Sequence, residues 1–210
     1  MNVHSLPGAH MELHDKSDKR QAILCATLSL LSTHGFHGFS MKQLAEQAGV
    51  ACGTVYLYFK DREALIAELH SLIIKAFSDA AFTGLDDTAS LREQHRMICL
   101  NIWRFCIDNP GITLSKGQFD HLPPDILKHQ FNDGWALFQP MKKLFESGRM
   151  QQLIRPLPDH VLIRLALDPF IVLAREQLLG IIELDASQHD QIVAASWDAI
   201  TLSAPDIDEP

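Results

Sequence analysis

The sequence predicts an all-α protein, and three observations carry that prediction. Apolar residues return at steps of three and four along most of the 210 residues, which is the period of a helix face. The punctuation is that of helices as well: Gly35 and Gly49 close runs, and Pro110, Pro123, Pro124 and Pro158 stand where new ones begin. At 47% hydrophobic residues, the chain can bury one good core, or a small head and a larger body.

Residues 1–16 mix His, Gly, Pro and charges without a period and are expected to form a mobile arm. His4, His10 and His14 make a metal-binding arm conceivable, but a solvated tail is the simpler reading, and Lys16 is all it offers a DNA minor groove. From about Ser17 to His34, the residues Ile23, Thr27, Leu30, Leu31 and His34 share one face of a first helix, which Gly35 ends. Ser40 is then placed as an N-cap. Gln43 completes a capping box, and Phe39 and Leu44 have the spacing of a hydrophobic staple. Leu44, Ala45 and Ala48 give this short helix an apolar side, and Gly49 supplies a left-handed stop. After Val50-Ala51-Cys52, the segment Gly53 to Phe59 reads as a second short helix, with aromatic and small polar residues where a core helix would carry leucines. Two short helices with a glycine at their junction form the helix-turn-helix pattern, whose second helix enters the DNA major groove. The first helix would brace the pair into a three-helix head.

Asp61 caps a helix to about Phe82, with Leu65, Leu69, Leu72, Ile73, Ala76 and Phe77 on one side. Starting in the head and ending in the body, it is placed to turn a ligand-induced shift into a change of head spacing. After a break at 84–88, the helix from Ser90 to Asn109 turns apolar nearly all round, as a helix in the middle of a domain does. Pro110 stops it and opens a short segment through Phe119. A long helix near Asp125 to Gly148 follows, kinked at Pro140, with Leu127, Phe131, Trp135, Phe138, Met141 and Phe145 in one stripe. The last two helices, about Asp159 to Leu184 (bent at Pro169) and Ser187 to Leu202, are too apolar for a monomer surface. They predict a two-fold four-helix interface. The expected organisation is an arm (1–16), a helix-turn-helix head (17–62), a ligand-binding and dimerisation body (63–203) and a disordered acidic tail (204–210).

The run Gly35-Phe36, Phe39-Ser40-Met41, Leu44-Ala45, Ala48-Gly49-Val50 and Gly53-Thr54-Val55-Tyr56-Leu57-Tyr58-Phe59-Lys60-Asp61-Arg62-Glu63-Ala64-Leu65 resembles the TetR family of bacterial one-component regulators. The likeness covers the first third of the chain; the rest is similar only in being helical and of suitable length. It implies a homodimeric, all-helical DNA-binding repressor, released from a palindromic operator by a small molecule. Carried over by position, it implies DNA contacts at Ser40, Cys52, Gly53, Thr54, Tyr56, Tyr58, Lys60 and Arg62. Hydroxyls at Ser40 and Thr54 suit a phosphate or base edge, and the Tyr56 and Tyr58 phenols suit phosphates and thymine methyls. Gly53 permits close backbone approach, while Lys60 and Arg62 neutralise phosphate charge. Tyr56 and Phe59 have an alternative as core of the small head, which we accept for Phe59 and not for Tyr58. Ala51-Cys52 departs from the family pattern of a Ser or Thr cap followed by Lys, removing a cap worth roughly 1 kcal/mol. It also puts a thiol at a helix start, where reactivity rises; a redox-sensitive DNA contact would show as lost operator affinity after peroxide.

Net charge is −8 and the pI is near 5.7. Lys/Arg and Asp/Glu balance at six each through Glu63, so the excess acid lies in the remainder, which suits DNA binding by the head alone. Cys25, Cys52, Cys99 and Cys106 show neither CxxC nor paired-His spacing. No metal, cofactor or disulfide framework is expected, and the scatter fits a reducing cytoplasm. No apolar run approaches the roughly 20 residues of a membrane span, and the N-terminus lacks signal-peptide order. No nucleophile–base spacing, phosphate loop or HExxH pair marks an enzyme, and His121 and His129 lie in polar stretches.

For a largely apolar, aromatic effector, the expected pocket residues are Asn101, Trp103, Arg104, Phe119, Phe131, Trp135, Phe138, Met141 and Phe170. Asn101 and Arg104 have an alternative in pairing with internal carboxylates or backbone carbonyls, and the aromatic stripe has one in plain core. Leu178, Ile182, Val193 and Trp197 are expected at the dimer face. The competing functions are a DNA-binding interaction protein without a ligand and a helical enzyme using the body's pocket.

Overall fold

Why the chain forms these helices is visible at their ends. The structure, a computed structural model, describes residues 18–202; the expected arm (1–16) and tail (204–210) lie outside the described residues. Within them are ten α-helices and one 3-10 segment, and the sole β pairing among the described residues is a bridge between Ile154 and Thr201. The fold is therefore all-α, as the periodicity implies. Two compact units share the chain: residues up to Ala76 with Asp108–Asn132, and Phe77–Ile107 with Asp133 onward.

The first unit holds α1 (Asp18–His34), α2 (Met41–Gln47), α3 (Cys52–Tyr58) and most of α4 (Arg62–Ala81). α5 (Leu91–Asp108) lies almost wholly in the second unit. Pro110 cannot continue α5 and instead opens α6 (Pro110–Ser115), which belongs to the first unit with the 3-10 segment Lys116–His121 and most of α7 (Pro124–Leu137). Ile23, Leu24, Leu30 and Leu31 of α1, Leu44 of α2, Val55 of α3 and Leu65, Ile66 and Leu69 of α4 are buried. Thr27 sits among them at no polar cost, because its hydroxyl donates to the Ile23 carbonyl at 2.7 Å. The Gln118 amide oxygen accepts the Phe36 N–H at 2.8 Å, tying the 3-10 segment to the turn before α2. His70 of α4 stacks on Phe119 at 4.5 Å and lies 2.6 Å from the Gln130 amide oxygen, while the Gln130 NH2 donates to the Ala67 carbonyl at 2.5 Å. Burial lowers the His70 pKa, against the opposing effect of the Gln130 hydrogen bond.

The second unit is built on α5, α8 (Gln139–Met150), α9 (Asp159–Leu178) and α10 (Ala186–Ile200). Its core includes Ile98, Cys99 and Ile102 of α5, Met141, Leu144 and Phe145 of α8, and Leu162, Ala166 and Phe170 of α9. Three expectations are corrected here. The long helix over 125–148 is two helices, α7 and α8, parted at Phe138: Pro140 has no N–H to give and its ring would strike the carbonyl four residues back, so it serves instead in the first turn of α8. α9 ends at Leu178 rather than Leu184. Gly180, at φ +70°, closes it with bonds from Gly180 N–H to the Gln177 carbonyl (3.0 Å) and from Ile181 N–H to the Glu176 carbonyl (2.9 Å), a stop that outweighs the continuing apolar period. Nor is α5 apolar all round. Arg92, Glu93, Arg104 and Asp108 face solvent, opposite buried His95, Ile98, Ile102 and Cys106, so Arg104 lies outside the buried run.

Candidate nucleic-acid interface

The helix-turn-helix pair is set by caps that act over three residues. Ser40 Oγ accepts from Gln43 N–H at 3.2 Å and the Gln43 side chain accepts from Ser40 N–H at 2.8 Å, a complete capping box, with Phe39 and Leu44 buried on either side of it. Gly49, at φ +67°, ends α2, and Val50 N–H bonds back to the Ala45 carbonyl at 3.0 Å. The turn then delivers α3, whose start carries no side-chain cap at Ala51. Asp61 caps α4 through its carboxylate, which accepts Ala64 N–H at 2.8 Å.

α3 is held to the unit by Val55 and Phe59, four residues apart and both buried. That anchorage turns the rest of the helix outward. Tyr56 is 52% exposed, Leu57 84% and Tyr58 38%, and Cys52, Gly53 and Lys60 are exposed beside them, with Thr54 half-buried. A methyl group added at Gly53 would meet nothing within 4 Å, so packing inside this chain does not require the glycine there. Ser40 is exposed, but its hydroxyl is engaged in the capping box. Arg62 differs from the other seven. Its guanidinium stands 4.3 Å above the Phe39 ring and 5.7 Å from Phe36, donates to the Phe36 carbonyl, and has its pKa lowered by burial against the opposing charge of Glu63. Its head group is used inside the fold. Sequence reasoning passed over Leu57, the most exposed large apolar side chain among the described residues of the unit. The signal was there: it lies two residues from Val55, on the opposite side of the helix.

Residues 23–69 match the profile described as Bacterial regulatory proteins, tetR family, and residues 90–201 match Tetracyclin repressor-like, C-terminal domain. A helix-turn-helix-type transcriptional regulator of Haemophilus influenzae is 31% identical over 187 residues, covering 88% of this chain and 97% of that protein. The chain belongs to the TetR family of bacterial transcriptional regulators. A solved TetR family protein from Vibrio parahaemolyticus is similar at 33% identity and a TM-score of 0.78, over 88% of this chain and 100% of that one. FadR from Bacillus subtilis, solved in complex with stearoyl-CoA, shares the fold at 15% identity and a TM-score of 0.71, over 87% of this chain and all of its own.

In this TetR-family chain the nine residues expected around an effector are divided between the two units. Phe119 and Phe131 belong to the first unit, the former buried against His70 and the latter exposed. In the second unit Trp103, Phe138, Met141 and Phe170 pack as core, Phe138 lying edge-on to Phe82 at 5.6 Å. The Asn101 amide donates to the Ala81 and Thr83 carbonyls at 3.2 and 2.9 Å, closing the end of α4. Trp135 is half-buried, with the Lys142 ammonium 4.9 Å from its ring. A surface groove of about 620 Å³ in the same unit has none of the nine in its lining.

Of the four residues expected at a dimer face, Val193 is buried within its own chain, and Leu178, Ile182 and Trp197 are half-buried. α9 turns Leu165 and Val172 outward, and Leu179 at its C-cap continues the seven-residue spacing, with Ile181 just beyond.

Two buried groups, His95 and Cys99, meet Ser196 inside the second unit: His95 Nε2 lies 3.0 Å from Ser196 Oγ and 3.5 Å from Cys99 Sγ. Desolvation pushes the imidazole down to about 4 and the thiol up to about 12, so both are neutral, the opposite of an activated nucleophile and base. Among the described residues, no three His, Cys, Asp or Glu side chains are grouped to hold a metal ion. No described helix is long and apolar enough to cross a membrane.

Proposed function

We propose that this TetR-family regulator is a homodimeric repressor whose two α3 helices read a palindromic operator, and that a small, largely apolar effector bound in the second unit releases it. The observation that carries the reading is the outward face of α3, where Tyr56, Leu57 and Tyr58 stand exposed because Val55 and Phe59 hold the other side. Such a face offers phenol donors to phosphates and apolar surface to thymine methyls, with few groups able to make bidentate base pairs. Specificity then comes largely from half-site spacing and DNA shape. The outward stripe of Leu165, Val172 and Leu179 supports pairing of two copies through α9. FadR, with the same fold, holds an acyl-CoA, which supports an effector in the body.

A second reading, DNA binding without an effector, is favoured by one observation: Trp103, Phe138, Met141 and Phe170 are packed as core. Selection of duplexes from a random library by the full chain, followed by footprinting and sedimentation, tests the first part of the proposal. Two half-sites with centres about 10 base pairs or a multiple apart, bound by a dimer, are expected. A single half-site bound by a monomer would overturn it.

A further inference from the structure

The groove of about 620 Å³ in the second unit is lined by the loop before α5, the start of α5, the later part of α8, the turn that follows it, and Trp197 of α10. Its lining combines apolar surface from Leu91, Leu144, Leu153 and Trp197 with two cations, Arg92 and Lys143, against one carboxylate, Asp87. In a chain of net charge −8 this is a local reversal. Neighbouring cations are engaged: Arg96 pairs with Asp190 at 3.0 Å and with Glu93 at 3.7 Å, and Lys142 lies over Trp135. Arg92 and Lys143 have no ion pair among the described residues.

The walls are fixed by hydrogen bonds. Gln94, only 8% exposed, donates to the Asp87 and Ala89 carbonyls at 3.3 and 2.8 Å and so holds the loop before α5. Ser90 Oγ accepts Glu93 N–H at 3.2 Å. Leu153 is held where its carbonyl accepts Leu202 N–H at 2.8 Å. Trp197 is shared between the groove and the interior, its ring 5.3 Å from that of His95, which bonds to the adjacent Ser196.

We propose that this groove is the effector site and that its ligand is an amphipathic monoanion: one carboxylate or sulfonate head held by Arg92 and Lys143, and an aromatic or aliphatic body on Trp197, Leu144 and Leu153. The volume lies within the roughly 300–1,000 Å³ of small-molecule sites. An anionic head gains charge-assisted bonds from two cations that have no ion pair among the described residues, and a neutral apolar molecule forgoes them. Pressure on Trp197 reaches the His95–Ser196 bond that joins α5 to α10. This assignment deepens the effector-released reading and rests on it.

The test uses the full chain and the fluorescent probe anilinonaphthalene sulfonate, beside its uncharged analogue N-phenylnaphthylamine. Arg92→Gln/Lys143→Gln removes the charges at two exposed positions. Ser147→Trp obstructs the groove with the charges kept, and thermal melting confirms that both variants fold. One probe per chain is expected, with affinity reduced on the order of tenfold or more in each variant. The uncharged analogue should bind weakly and be indifferent to the loss of charge. Equal sulfonate affinity in wild type and both variants would place the probe elsewhere, as on the outer face of α9, and overturn the site. Binding that depends on Arg92 and Lys143 while operator affinity stays unchanged would leave an anion site and defeat the effector reading instead.

Discussion

Arg62→Ala separates two roles for a residue that the family pattern places on DNA. In the structure its guanidinium is spent on the turn before α2, over Phe39 at 4.3 Å and Phe36 at 5.7 Å, with a bond to the Phe36 carbonyl. The Phe36 N–H is held by Gln118, so residue 36 is gripped from both sides, three residues before the Phe39 that precedes the Ser40 cap. Each ring contact is worth roughly 0.5–1 kcal/mol at a partly exposed site, and a hydrogen bond from a charged donor roughly 1.5–3 kcal/mol. Discounted for solvent screening of a half-exposed group, the loss should be about 2 kcal/mol. Arg62→Lys keeps the charge but not the planar fork, and should recover less than half. Thermal unfolding at fixed protein concentration reads the stability, and operator binding across a salt series reads the phosphate contacts. The clamp predicts a lower melting temperature and, at sites still bound, an unchanged salt slope. A phosphate contact made by both copies predicts unchanged melting and a slope reduced by about 1.8, at 0.9 per phosphate. That second pattern would refute the clamp.

His95 gives a pH dependence with a definite sign. Its folded-state pKa of about 4 lies below the ordinary 6.5, so the unfolded chain takes up the proton first as pH falls. The stabilisation is full above pH 6.5 and is lost between 6.5 and 4, up to about 3 kcal/mol; denaturant melts should show this slope in the wild type and not in His95→Gln. Gly38→Ala would put a methyl carbon 1.8 Å from the His34 carbonyl oxygen, so the turn into α2 must shift. A cost of at least roughly 1–3 kcal/mol and weakened operator binding are expected, and wild-type values for both would contradict the geometry. Asn101→Ala frees the Ala81 and Thr83 carbonyls and should lower stability by about 1–2 kcal/mol with ligand binding intact; a selective loss of ligand affinity would return Asn101 to a pocket.

What the sequence made legible is what acts over three or four residues. The Ser40–Gln43 box, the Gly49 stop, the Asp61 cap and the burial of Phe59 are local arrangements, and the structure has each of them. The break at Phe138 and the end of α9 at Gly180 were also written locally, in a proline and a glycine that a continuing apolar period obscured. Arg104 was readable too, since two residues beyond buried Ile102 a helix has turned to its far side. The inward turn of the Arg62 guanidinium depends on rings from the 36–39 turn, and the burial of Val193 on which side of α10 meets α9. The groove's chemistry brings together residues 87–94, 143–153 and 197, which no local pattern connects.

The central claim, that the exposed α3 face is what holds operator DNA, is tested most directly by fluorescence anisotropy of the full chain on its selected duplex. The titration is run across a salt series beside Tyr56→Ala/Tyr58→Ala, with circular dichroism to confirm the fold. The account predicts tight, sequence-selective, salt-steep binding in the wild type, and in the variant only weak binding that no longer distinguishes the selected duplex from a scrambled one. Selective binding of undiminished affinity in the folded variant would contradict it.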